Sequence, residues 1–263
     1  MSENLKLLES LLKAETSCSN AGTINAANYP SKDMNNFFGY GNFNGKYWFV
    51  GQEENGDSEY IDSIILKWNG IDEIMDIYES NPNSEYLKPG AKLVPTWRRL
   101  IRIVLAYLSC LNQDNKVNIE IIKEIQTRFF GRKEYQICSM NLFSKPMPPR
   151  SKGNNEIKII PERLEKIKKM VEKFNPEFVI FYAWKYIVEI KKNLENFGIN
   201  LECEKDKKFC WGKFNNSIII ICQHATSFNK NQYFEEIGKF TRQKFSEVNK
   251  KRPFKIPCQS GII

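Results

Sequence analysis

Residues 46–51 read Lys46-Tyr47-Trp48-Phe49-Val50-Gly51, and this run decides the fold. It is short, apolar and aromatic, and it stops at a glycine, as a buried strand does. Three later runs repeat the pattern: Tyr135 to Phe143, Phe178 to Phe181 and Ser217 to Cys222. Helical periodicity lies between them. Pro95-Thr96 opens a helix through Leu108, another covers 118–129, and Pro161 starts a basic helix that Asn175-Pro176 ends. Ala183 to Asn196 and residues 231–247 complete the set. At the N-terminus Leu5, Leu8 and Leu12 form one stripe, and residues 58–79 predict a helix with Ile61, Ile64, Ile65 and Leu66 near one face. Residues 17–45, 81–90, 144–155 and 223–229 read as loops. Apolar strands separated by helices mean a parallel sheet covered on both faces. The expected fold is α/β, with a central four-stranded parallel sheet and helices on both faces. It forms a single domain: 1–45 a helix and loop, 46–247 the core, 248–263 a basic tail.

Composition narrows the class. The 263 residues carry 39 Lys+Arg against 31 Asp+Glu, a net charge of +8, with 13% aromatics. So many aromatics exclude a disordered chain. The longest aliphatic stretch, Ile218 to Ile221, is far short of the roughly 20 residues a spanning helix needs. Met-Ser-Glu-Asn at the start has no basic and apolar leader pattern, so a cytoplasmic protein is expected. The seven cysteines, odd in number and without a Cys-x-x-Cys, read as free buried thiols. With His224 the single histidine, a His-rich zinc site is impossible, and no metal or cofactor is expected. The positive balance fits an anionic partner such as nucleic acid, or simply a solvated basic surface. Its local clusters are Lys166–Lys169, Lys205–Lys208 and Lys250–Arg252.

Ligands of open parallel sheets bind beyond the carboxyl ends of the strands. The first strand end is Gly51-Gln52-Glu53-Glu54-Asn55-Gly56. A phosphate loop would need Lys and Ser/Thr after the second glycine, and here Asp57 and Ser58 follow, so a nucleotide-triphosphate loop is rejected. The second end carries Asn141 in the apolar frame Met140-Asn141-Leu142-Phe143. Its amide can cap a turn or read a base edge with a donor and an acceptor. The last end carries His224-Ala225-Thr226-Ser227-Phe228.

Taken in order, these stretches resemble the uracil-DNA glycosylase superfamily. Gly51-Gln52-Glu53-Glu54-Asn55-Gly56 is similar to that family's first motif, Gly-Gln-Asp-Pro-Tyr-His. Asn141 matches its base-reading asparagine, and His224-Ala225-Thr226-Ser227-Phe228 its last motif, His-Pro-Ser-Pro-Leu. Pro95-Thr96-Trp97 is similar to its phosphate-pinching loop. The resemblance spans roughly residues 46–245 and implies a glycosylase-like fold and a hydrolase of N-glycosidic bonds. It makes His224 the support of the leaving base and Glu53 the carboxylate that serves the sugar and water, with Glu54 its alternative. Gln52, Asn55 and Asn141 then line the base pocket. Phe228 wedges the gap left by the flipped base, and Thr96, Thr226 and Ser227 hold phosphates. No metal is implied. Phe37, Phe38, Tyr40 and Phe43 are candidates for the ring that stacks on the base; Trp184 and Trp211 read as packing residues.

Two departures shape the expected substrate. Glu53 replaces the family's aspartate and is one methylene longer. Asn55 stands where the family has the tyrosine that blocks C5 substituents, beside Gly56, and residues 57–92 lengthen the link to Pro95. The expected substrate is therefore a pyrimidine with a bulky C5 group, such as glucosylated hydroxymethylcytosine, and the expected setting is antiviral defence. The alternatives are a uracil or mismatch glycosylase of DNA repair, a non-catalytic DNA-binding homologue, and a nucleoside-processing enzyme. DNA, as a duplex with a flipped base or as a single strand, is the expected partner of a monomer, with no membrane partner.

Overall fold

The computed structural model describes residues 3–14, 38–51, 74–80, 84–109, 118–142, 161–204, 208–225 and 231–249. The four expected runs form β2 (Tyr47–Gly51), β4 (Ile137–Asn141), β5 (Phe178–Phe181) and β8 (Ser217–Ile221). They lie side by side in the order β4-β2-β5-β8, all parallel. Alternation along each strand divides the core into two layers. Tyr47, Phe49, Ile137, Phe178, Ile180, Ile218 and Ile220 face one way. They meet α1 (Glu3–Leu12), α3 (Pro95–Tyr107), α4 (Ile119–Arg128) and α7 (Asn231–Val248). Trp48, Val50, Cys138, Met140, Val179, Phe181, Ile219 and Ile221 face the other way, against α5 (Pro161–Phe174) and α6 (Ile187–Asn196). Burial on both faces is why these strands read as unbroken apolar runs.

The sheet is larger than four strands, and it is mixed. Among the described residues it has eight strands in the order β3-β1-β4-β2-β5-β8-β7-β6. β1 (Gly39–Tyr40) pairs antiparallel with β4, and β3 (Ile74–Met75) lies parallel to β1. At the far edge β7 (Phe209–Phe214) and β6 (Leu201–Glu204) extend the sheet as an antiparallel hairpin. The expectation of a four-stranded, wholly parallel sheet is corrected accordingly. Within 17–45, residues 39–40 are strand rather than loop. Within 58–79, residues 74–75 are strand, and the short α2 (Ile77–Ser80) follows; residues 58–73 lie outside the described residues.

The cysteine expectation also changes. Cys203 and Cys210 face each other across the β6–β7 pair and are joined in a disulfide. Cys138 and Cys222 are free and buried, as expected. Of the expected basic clusters, Lys168 and Lys169 pair with Glu172 and Glu165 along α5. Pairs one turn apart on the outer side of a helix contribute little.

One close approach fixes how α3 meets α7. A Cβ on Gly238 would stand 2.3 Å from the Ile103 carbonyl oxygen and 2.7 Å from the Ala106 Cβ. Only a residue without a side chain lets the two backbones come this near. Gly238→Ala should therefore cost about 1–3 kcal/mol by forced separation of the helices. Urea unfolding checks this as a lowered midpoint at an unchanged slope.

Candidate active site

The parallel strands all end at one edge of the sheet. Leaving β2, the chain enters α3 and α4 on the first face; leaving β5, it enters α6 on the second. Ligand sites of open α/β sheets form where successive connections diverge in this way, here between β2 and β5. Gly51 ends β2 at that point. A Cβ there would fall 2.0 Å from Cζ and 2.1 Å from the hydroxyl of Tyr182, so the phenol ring lies directly on the glycine.

Asn141 sits beside Gly51 as its register partner on β4. Its main chain is held on both sides. The N–H donates to the Phe38 carbonyl at 2.7 Å. Its own carbonyl accepts from Arg163 Nη2 at 2.9 Å and Nε at 3.3 Å. Among the described residues no group bonds the Asn141 side-chain amide. The donor and acceptor of that amide are what base reading requires.

His224 follows β8 at the same edge, half-buried, with its ring centroid 5.8 Å from that of Tyr182. Its neighbours are pinned. The Gln223 N–H donates to the Tyr233 hydroxyl at 3.3 Å, which itself donates to the Lys208 carbonyl at 2.8 Å. The Ala225 carbonyl accepts from Arg99 Nη1. Burial, and then the Arg99 guanidinium, hold the imidazole below its ordinary titration range. At neutral pH His224 is thus an uncharged ring with one N–H to donate. Between Asn141 and His224 lie β2 and β5, so the two residues are three strand spacings apart, about 14 Å along the edge. The nearby Cys222 thiol is buried and its ionisation is pushed far up, so it is no nucleophile.

Thr96 is the second residue of α3, half-buried, in the turn that Arg99 ties to Ala225. The first N–H groups of a helix are unsatisfied within it and favour anions. The structure thus brings Asn141, His224 and Thr96 to one edge. Gln52, Glu53, Glu54, Asn55, Thr226, Ser227 and Phe228 lie outside the described residues, although Gly51 and Ala225, which precede the two segments, are part of this edge.

The early-loop aromatics are corrected. Phe38 and Tyr40 are buried, and Phe43 packs on Trp48 and Phe174, so none of the three offers an open face to a base; Phe37 lies outside the described residues. Trp211 packs on Phe240 beneath Lys244. Three site residues were missed: Tyr182, Arg99 and Arg163. Two had a signal in the sequence. Tyr182 directly follows a strand, and Arg163 stands in the first turn of its helix, where a cation opposes the helix dipole and needs another reason to be there.

The single histidine gives a clean titration. Its NMR midpoint should fall below the 6.5 of an unperturbed imidazole. Because the folded value is the lower one, stability is full above pH 6.5 and is lost as pH falls from there to the folded midpoint. Urea unfolding of wild type and His224→Gln across that range checks the sign: the variant should lack this acid-side loss.

Among the described residues no group of three or more His, Cys, Asp or Glu is placed to hold a metal ion, and no helix is long and apolar enough to cross a membrane. No family model matches the sequence, and a search of curated proteins finds no significant relative.

Proposed function

We propose that this protein is a DNA glycosylase that hydrolyses the N-glycosidic bond of a flipped-out pyrimidine, one with a bulky C5 group, and leaves an abasic site. The observation that carries the reading is the shared edge: an asparagine amide with no described partner and a neutral histidine flank the switch point of a parallel-centred sheet. That α/β architecture is of the kind the glycosylase resemblance implies.

In this reading Asn141 pairs with the base edge, and its pinned main chain fixes which edge it presents. The C1′–N bond breaks with its electron pair going to the base. His224 donates its N–H to the base oxygen where that charge gathers, and Arg99, bonded to the Ala225 carbonyl, holds the segment that carries it. A neutral imidazole serves better than a charged one because its proton stays in place while the base departs. Water adds to C1′ and gives its proton to the carboxylate of Glu53, from which it passes through solvent to the departed base anion, so the balance is water plus nucleoside to free base plus sugar hydroxyl. The helix start at Thr96 and the net charge of +8 suit a polyanion. By the resemblance, Asn55 in place of the family's tyrosine implies a pocket that admits the C5 group.

The test is an alkali-lability assay on duplexes containing uracil, a thymine mismatch, 5-hydroxymethylcytosine or its glucosylated form. Breaks at the bulky bases support the reading. Breaks at uracil alone move the protein to base-excision repair. Binding without breaks, weakening by orders of magnitude between about 50 and 200 mM salt, makes it a DNA-binding protein without catalysis.

A further inference from the structure

We infer that Arg99 and Arg163 are a matched pair of clamps, each stacked on a buried phenylalanine and pinning one main-chain carbonyl, which hold His224 and Asn141 in place as the two working residues of the site. The inference rests on the proposed function for what those residues do, but the clamps themselves are features of the fold.

The two arrangements have the same parts. Arg163 is only 4% exposed, lies 3.5 Å from the centroid of Phe38 and forks onto the Asn141 carbonyl. Phe38 also accepts the Asn141 N–H, so Phe38, Asn141 and Arg163 form a closed ring of contacts. Arg99 lies 5.6 Å from the centroid of Phe234 and donates to the Ala225 carbonyl. Tyr233, next to Phe234, bonds Gln223 on the other side of His224. Each working residue therefore has a main-chain bond on either side of its side chain.

Taking the Arg163 guanidinium out of water is unfavourable, and the positive end of its helix makes it more so; Arg99, half-buried and past the first turn of its helix, meets a smaller cost. A stacked ring and a shared carbonyl recover part of that cost. Neither would be needed to fill space, which an aliphatic side chain does better. Lysine cannot replace arginine here, because it lacks the planar fork that stacks and donates at once. Both residues act through others and are positioning residues.

The experiment uses the full chain with R99Q, R99K, R163Q and R163K, each alone and on an H224A or N141A background. R99Q should lower the single-turnover rate of base release about tenfold or more, in proportion to losing a charged hydrogen bond. R99K should not restore it, and on the H224A background R99Q should add little. R163Q should erode discrimination between bases by a similar factor and lose that effect on the N141A background. Two readouts need no activity. R99Q should move the His224 NMR midpoint up, since Arg99 is the described cation beside the ring; Tyr182, Tyr233 and the Cys222 thiol, titratable groups around this segment, stay unchanged. R163Q should speed exchange of the Asn141 amide hydrogen about tenfold. Equal losses with and without His224 or Asn141, or an unmoved midpoint and exchange rate, would overturn the clamps. A wild type that releases no base, with midpoint and exchange moving as stated, would remove the glycosylase reading and leave the clamps standing.

Discussion

Replacing His224 by alanine should lower the rate of base release about 10²–10³-fold while leaving DNA affinity within a few-fold of wild type. The magnitude is that of removing one preorganised donor from the place where negative charge develops. In the proposed reaction this donor is effective because its surroundings are already arranged. Burial and Arg99 keep the ring neutral, and the bonds to Gln223 and Ala225 fix the backbone on either side. A donor held in this way needs no reorganisation when the bond breaks. Affinity should be less affected because phosphate contacts supply most of the affinity of DNA-binding proteins in general. The measurement is single-turnover cleavage beside fluorescence anisotropy on the same duplex. The acid limb of the rate should lie below pH 6.5, since the imidazole must be protonated to lose its neutral form and its folded midpoint is lowered.

Glu235→Ala should destabilise the protein by about 3–5 kcal/mol, the cost of stranding a buried cation. Arg102 and Glu235 are 9% and 8% exposed and bond each other directly between α3 and α7. Without the carboxylate, Arg102 keeps its burial and loses its counter-charge; its Nε already has no partner among the described residues. Replacing both residues together by Met and Leu should recover most of the loss, because an apolar pair of similar volume avoids the desolvation altogether. Thermal or urea unfolding of the two single variants and the double variant separates these outcomes. The joint also bears on the site. Arg102 lies one turn beyond Arg99 on the same helix, so loosening α3 from α7 should loosen the hold on Ala225.

The centre of the fold was legible because β2, β4, β5 and β8 are buried on both faces and therefore unbroken apolar runs. The added strands gave no such signal. β6 reads Leu201-Glu202-Cys203-Glu204 and β7 reads Phe209-Cys210-Trp211-Gly212-Lys213-Phe214. Both mix charge with apolar residues because an antiparallel edge has a solvated side. The Cys203–Cys210 pairing becomes visible only once those two strands are laid opposite each other. β1 and β3, two residues each, are too short for any period to show. In the site, Asn141 and His224 were found because they follow strand ends. Tyr182 follows one as well, but its place on Gly51 depends on the packing of β5 beside β2. The bonds that make Arg99 and Arg163 important join residues 126 and 22 positions apart, and such pairs have no local pattern.

In the proposed reaction an intact base leaves DNA with its glycosidic bond hydrolysed. Mass spectrometry of the small molecules released from a duplex carrying glucosylated hydroxymethylcytosine tests it most directly. Wild type should release the free modified base and leave an abasic strand of full length, and the H224A protein should release it at least about a hundredfold more slowly. Release of a nucleotide, or no release from any modified or unmodified pyrimidine, would contradict the account.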